Sequence, residues 1–72
     1  MSKTYTQVAK SFGKRIVLLR KQKNLTQEEL ALKANIERSY MGTIERGERN
    51  PTLKKIYQIS KALKVEVHEL FT

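Results

Sequence analysis

The stretch Thr26-Gln27-Glu28-Glu29-Leu30-Ala31-Leu32-Lys33-Ala34-Asn35-Ile36-Glu37-Arg38-Ser39-Tyr40-Met41-Gly42-Thr43-Ile44-Glu45-Arg46-Gly47 reads as two short helices joined by a tight turn. It opens on a capping box. The Thr26 oxygen accepts the backbone N–H of Glu29, and the glutamate reaches back to the N–H of Thr26. Leu30, Ala31 and Ala34 then form a small apolar face on a helix of about two turns. Asn35 ends that helix, because asparagine tolerates the left-handed conformation better than any residue but glycine. Ile36 sits in the turn. The next helix, about Arg38 to Arg46, puts Met41 and Ile44 inward and stops at Gly47.

Upstream, Val8, Phe12, Ile16 and Leu19 follow at steps of four, four and three, one face of a first helix from about Thr6 to Lys23. Gly13 interrupts this helix and marks a close approach of another helix. Asn24 is its left-handed C-terminal residue. Downstream, Gly47-Glu48-Arg49-Asn50-Pro51 is a loop by composition. Thr52 caps a fourth helix with Leu53, Ile56, Ile59 and Leu63 inward, and Tyr57 reads as packing. Val65, Val67, Leu70 and Phe71 belong to a short fifth helix beginning near Glu66. No period-two strand pattern of useful length appears. The expectation is one all-α domain over 1–72 of five helices. Its helix-turn-helix is formed by helices 2 and 3 over about 27–46, with C-terminal helices over about 52–71 for packing and dimerisation.

Composition narrows the function. The chain of 72 residues carries 15 Lys and Arg against 7 acidic residues, a formal net charge of +8, and its first acid is Glu28. Such a bias favours polyanion partners, since each neutralised phosphate releases condensed counterions. Cysteine and aspartate are absent, and the one histidine is His68. A lone histidine builds neither a triad nor a metal site, and there is no glycine-rich phosphate loop, so an enzyme, a metal site, a cofactor and a small-molecule ligand are not expected. The longest apolar run, Ile16-Val17-Leu18-Leu19, is far short of a membrane span, which reads as a cytoplasmic protein with no membrane partner.

Two short helices at this spacing let one brace on a DNA backbone while the other enters the major groove. Gln27, Ala31, Asn35, Ile36, Met41 and Ile44 each meet a separate demand: phosphate reach, a close crossing, the turn, its plug, and two anchors. The stretch Leu25-Thr26-Gln27-Glu28-Glu29-Leu30-Ala31, then Ile36, Ile44-Glu45-Arg46-Gly47 and Asn50-Pro51-Thr52-Leu53, resembles the phage-repressor-like (XRE) helix-turn-helix family. Arg38-Ser39-Tyr40-Met41 and Ile44 through Asn50 are similar to the controller proteins of restriction–modification systems. Two positions depart from the family pattern: Glu37 stands where a short capping side chain is usual, and Asn35 where glycine is commoner.

The resemblance implies a five-helix domain that pairs through its C-terminal helices. It places Arg38, Ser39, Gly42 and Thr43 on the recognition face. Arg38 is the leading base reader, because guanidinium donates twice to guanine O6 and N7. Gly42, without a side chain, allows close approach. It also implies an ion pair of Arg20 with Glu45 linking helix 1 to the end of the recognition helix. Thr26, Gln27, Tyr40, Arg46, Arg49 and Asn50 are candidates for phosphates, which fix register without reading sequence. Tyr40 reads equally as an amphipathic core residue. Val65, Val67, Leu70 and Phe71 are the candidate dimer interface. The function expected is a sequence-specific, double-stranded DNA-binding transcriptional regulator, a homodimer on a pseudo-palindromic operator, of the controller kind. The competing reading is an antitoxin-like protein-binding module that binds DNA secondarily. RNA binding has no visible signature.

Overall fold

Each helix begins where a side chain satisfies the first unpaired amides, with one exception. In the computed structural model, which describes residues 2–72, Thr4 and Gln7 form a capping box that starts α1 (Tyr5–Gln22). Thr26 and Glu29 form another at the head of α2 (Gln27–Ala34). Thr52 accepts the N–H of Lys55 to open α4 (Leu53–Leu63). The exception is α3 (Arg38–Glu45), whose N-cap Glu37 makes no side-chain capping bond. Left-handed residues end the helices as the chemistry of Asn and Gly suggests: Asn24 and Asn35 at φ 58° and Gly47 at φ 75°. Lys64, also at φ 58°, does the same for α4 without glycine's freedom.

The architecture among the described residues is all-helical, four α-helices and a closing 3-10 helix (Val67–Phe71). The expected fifth helix is thus a short 3-10 helix, in which the Glu69 N–H donates to the Glu66 carbonyl three residues back at 3.0 Å. Its backbone is held from outside: Arg15 Nε donates to the Glu69 carbonyl at 2.8 Å, and Phe71 stacks on Phe12 with ring centroids 4.9 Å apart. The helices pack α1 against α3, α2 against α3 and α4, and the 3-10 turn against α1 and α4. Ile16, Leu30, Met41, Ile44, Ile59, Leu63 and Leu70 are fully buried at the centre.

Several side chains fall elsewhere than expected. The inward stripe of α1 is Ala9, Phe12, Gly13, Ile16 and Leu19. Val8 is exposed, because Ala9 faces inward in its place. Leu53 is exposed at the first position of α4, where Ile56 is the first residue packed against the core. Tyr57 is exposed too. Leu70 shows no exposed surface, so it fills this chain's own core and cannot meet a second copy.

Candidate nucleic-acid interface

The candidate interface comprises the N-terminus of α2, the outer face of α3 and the loop that follows. What fixes α3 is its far end. A Cβ at Gly13 would stand 2.4 Å from the Glu45 carbonyl oxygen and 2.7 Å from that of Ile44. Only glycine lets α1 lie this close to the last turn of α3. There Arg20 grips Glu45 with two bonds, Nε to Oε2 at 2.8 Å and Nη2 to Oε1 at 3.1 Å, while Nη1 reaches the Leu25 carbonyl at 3.0 Å. Such a fork is the strong geometry for a guanidinium and a carboxylate.

The pair continues outward. Gln27 Nε2 donates to Glu45 Oε1 at 2.9 Å, and Gln27 Oε1 accepts from Arg38 Nη1 at 3.2 Å. The carboxylate accepts only, so it settles which way the Gln27 amide points and leaves its oxygen for Arg38. One donor of Arg38 is used; the rest of its fork faces solvent beside exposed Ser39. The resemblance assigned Gln27 to a phosphate, and its side chain here is instead the link between the ion pair and the base-reading candidate. Its backbone N–H, at the first helical position, remains free of an intrahelical partner.

Gly42 needs correcting. It is buried, and a Cβ there would lie 3.3 Å from Gln27 Oε1 and 3.3 Å from Arg46 Nη1. Those two side chains roof the position, so it faces them and not an open groove. Thr43 is half-buried, and its hydroxyl donates to the Tyr40 carbonyl at 2.6 Å. With that proton committed, Thr43 offers a base an acceptor and a methyl.

Around the rim, Thr26 uses its oxygen in the capping box yet keeps a hydroxyl proton to donate. Arg46 pairs with Glu48 at 3.2 Å, both side chains more than half exposed. Such a pair contributes about 0–1 kcal/mol and gives way readily to a phosphate. Tyr40 combines its two readings: it packs against the core while Arg49 and Lys55 each stand 5.2 Å from its ring centroid. Asn50 is exposed in the loop. Lys55 was not singled out from the sequence. Its signal was a lysine in the first turn of a helix, where the macrodipole disfavours cations.

Of the dimer candidates other than Leu70, Val65 is half-buried against the core, Val67 is half-buried, and Phe71 is half exposed over Phe12. Among the described residues no His, Cys, Asp and Glu group is placed to hold a metal, and no helix is long and apolar enough to cross a membrane.

Residues 16–70 match the HTH_3 family, described as Helix-turn-helix. The control protein C.BamHI of Bacillus amyloliquefaciens is 43% identical over 60 residues, which cover 82% of this chain and 74% of that protein. The restriction-modification controller protein C.AhdI from Aeromonas hydrophila superposes with a TM-score of 0.86 at 44% identity, over 88% of this chain and 96% of that one. SinR, the master regulator for biofilm formation, solved in complex with DNA, gives a TM-score of 0.80 at 39% identity over 85% of this chain and 98% of that one. The chain is a member of the HTH_3 helix-turn-helix family of DNA-binding transcriptional regulators.

Proposed function

We propose that this protein regulates transcription as a homodimer that seats two α3 helices in successive major grooves of a pseudo-palindromic operator. The observation that carries the reading is the asymmetric mounting of α3. Its last turn is clamped by Gly13, Arg20 and Gln27, while at the other end Ser39 is exposed and Arg38, with one bond to Gln27, keeps the rest of its fork in solvent. A base reader must be held by something other than the base it reads, and this mounting supports such a role. The likeness to a regulator solved on DNA supports the same orientation, and a net charge of +8 supplies the sequence-independent attraction. The likeness to controller proteins supports a role in restriction–modification gene control.

Arg38, Ser39 and Thr43 read bases in this arrangement. Thr26, Tyr40, Arg46, Arg49 and Asn50 meet phosphates, and the Gln27 backbone N–H joins them. Phe71, with Val67 and Val65 beside it, pairs the two copies, which sets half-sites about 34 Å apart. The protein acts by occupancy, in the cytoplasm where the operator lies, and performs no chemistry on the DNA.

Selection of bound duplexes from a randomised pool at physiological salt tests this. An inverted repeat with half-sites about one helical turn apart is the expected product. Binding without enrichment, vanishing as salt rises, would reduce the surface to nonspecific attraction. It would favour the antitoxin-like reading, in which Phe71 covers another protein. Arg38→Ala is expected to cost about 1–3 kcal/mol on the selected site and to relax preference at its base pair. An equal loss on every sequence would make Arg38 a phosphate contact.

A further inference from the structure

Beyond Tyr40 and Lys55 the positive surface does not stop. Lys54, Tyr57 and Lys61 fall at steps of three and four along α4, one exposed stripe, and Lys33 faces them from the last turn of α2. Together they border an open groove of about 530 Å³ whose walls contain four lysines, Lys55 included, and no acid. The whole of α4 lacks an acidic residue. The ion pairs among the described residues, Arg20–Glu45 and Arg46–Glu48, use none of these lysines.

Solubility alone does not account for the placement. Lys54 and Lys55 occupy the first turn of α4, where the unpaired amides and the macrodipole favour carboxylates and repel cations. Like charges gathered round one groove raise the cost further, and the groove's own walls hold no carboxylate to relieve it. The rings follow one pattern: Arg49 and Lys55 stand over Tyr40, and Lys61 stands 5.9 Å from the centroid of Tyr57. An aromatic ring under an ammonium holds the charge outward without neutralising it.

We infer that the α4 groove is a second phosphate-binding surface, occupied by the backbone of duplex DNA flanking the half-site read by α3. The inference rests on the regulator reading above. It is favoured over a separate polyanion by continuity, since Lys55 belongs to the rim of the recognition surface and its neighbour Lys54 to the groove. A duplex seated on α3 reaches this groove by bending toward α4, which makes the flanks contribute through backbone contacts and deformability and not through base readout. The lysines are the attraction that drives the bend.

The test compares two duplexes carrying the selected site: one trimmed to the inverted repeat, the other extended by about one helical turn of unrelated sequence on each side. Wild-type protein is expected to bind the extended duplex about tenfold more tightly at low salt. Its salt slope should steepen by about 0.9 for each lysine that meets a phosphate. The triple variant K33Q/K54Q/K61Q, altered only at exposed side chains, is expected to melt no lower than wild type, to bind the trimmed duplex as wild type, and to lose the gain from extension. A gain equal to wild type in the variant would overturn the inference. So would an equal loss on both duplexes, which marks diffuse attraction, or capture of anionic vesicles or RNA with no effect of duplex length. Sequence preference on the trimmed duplex judges the regulator reading separately, so either can fail alone.

Discussion

The two ends of α3 are treated in opposite ways. Its last turn is locked: Ile44 is buried, Glu45 is held by Arg20 and Gln27, and Gly13 brings α1 against its carbonyls. Its first turn is held by apolar packing, with Met41 buried and Tyr40 against the core, while its N-cap makes no capping bond and Arg38 and Ser39 are exposed. A helix of eight residues is too short to hold itself, so its order comes from tertiary contacts. The charged and polar contacts among them gather at the last turn, which leaves most polar groups of the first turn exposed. The ion pair and the close approach of α1 fix the C-terminus, and the exposed polar side chains stand at the N-terminus.

The largest break in this contrast comes from Glu45→Ala. It strands Arg20, whose side chain is only 13% exposed, and removes the acceptor that orients Gln27. The expected loss is about 3 kcal/mol of stability, nearer the low end for a buried pair because Arg20 keeps some water. Operator affinity should fall with it, measured on folded protein at a temperature well below the new melting point. Wild-type melting together with wild-type affinity would show that the ion pair positions nothing. Gly13→Ala follows. The new methyl meets backbone and not a flexible side chain, so α1 and α3 must separate. Helix propensity returns up to about 1 kcal/mol, leaving a net destabilisation of about 2 kcal/mol. A rise in melting temperature, the usual result of Gly→Ala within a helix, would mean that the close approach is not required.

This contrast was partly legible in the sequence. Thr26 with Glu29, Asn35, Gly13 and Gly47 each break or satisfy a local backbone rule, and local rules survive without three dimensions. The Arg20–Glu45 pair came from family resemblance, for nothing local joins residues on different helices. Hidden altogether were bonds between distant side chains and backbone, such as Arg15 to the Glu69 carbonyl and Gln58 to the Ala34 carbonyl at 2.7 Å. Nothing in their local sequence distinguishes them from solvated polar residues. Periodicity gave most of the buried face of each helix, with Val8 misplaced for Ala9, but not where its partner ends. Leu53 and Tyr57 were therefore read as packing and proved exposed, and Leu70 was read as interface and proved core. At the candidate interface, Arg38 and Ser39 are exposed. Gly42 is not, because the side chains roofing it come from two other positions, Gln27 and Arg46.

A smaller effect sharpens the comparison from the uncapped end. Glu37→Ser supplies the missing oxygen to the first turn of α3, usually about 1 kcal/mol of stabilisation, and gives up a favourable charge–dipole interaction of about half that. The net expectation is about 0.5 kcal/mol, a rise of about 2–4 °C in melting temperature for a domain of this size. A fall would show that the glutamate's charge already does more for this turn than a cap can.

The smallest effect compares the capped start of α2 with that uncapped turn. The Glu29 carboxylate accepts the Thr26 N–H, and the Thr26 hydroxyl adds to this, so its pKa lies below the ordinary 4.5. The folded protein thus binds this proton less readily than the unfolded chain does. The contribution is complete above the unfolded value and disappears as pH falls through the lower folded value. Glu29→Gln keeps an acceptor in the box and removes only the charge. Melting curves of both proteins should differ slightly at neutral pH, with wild type the more stable, and should converge as the pH drops below 4.5. The group is fully exposed, so added salt should shrink the difference as well. A gap that stays constant from neutral to acid pH would place the stabilisation in packing and not in the carboxylate, and α2 would then owe its firm start to something other than its cap.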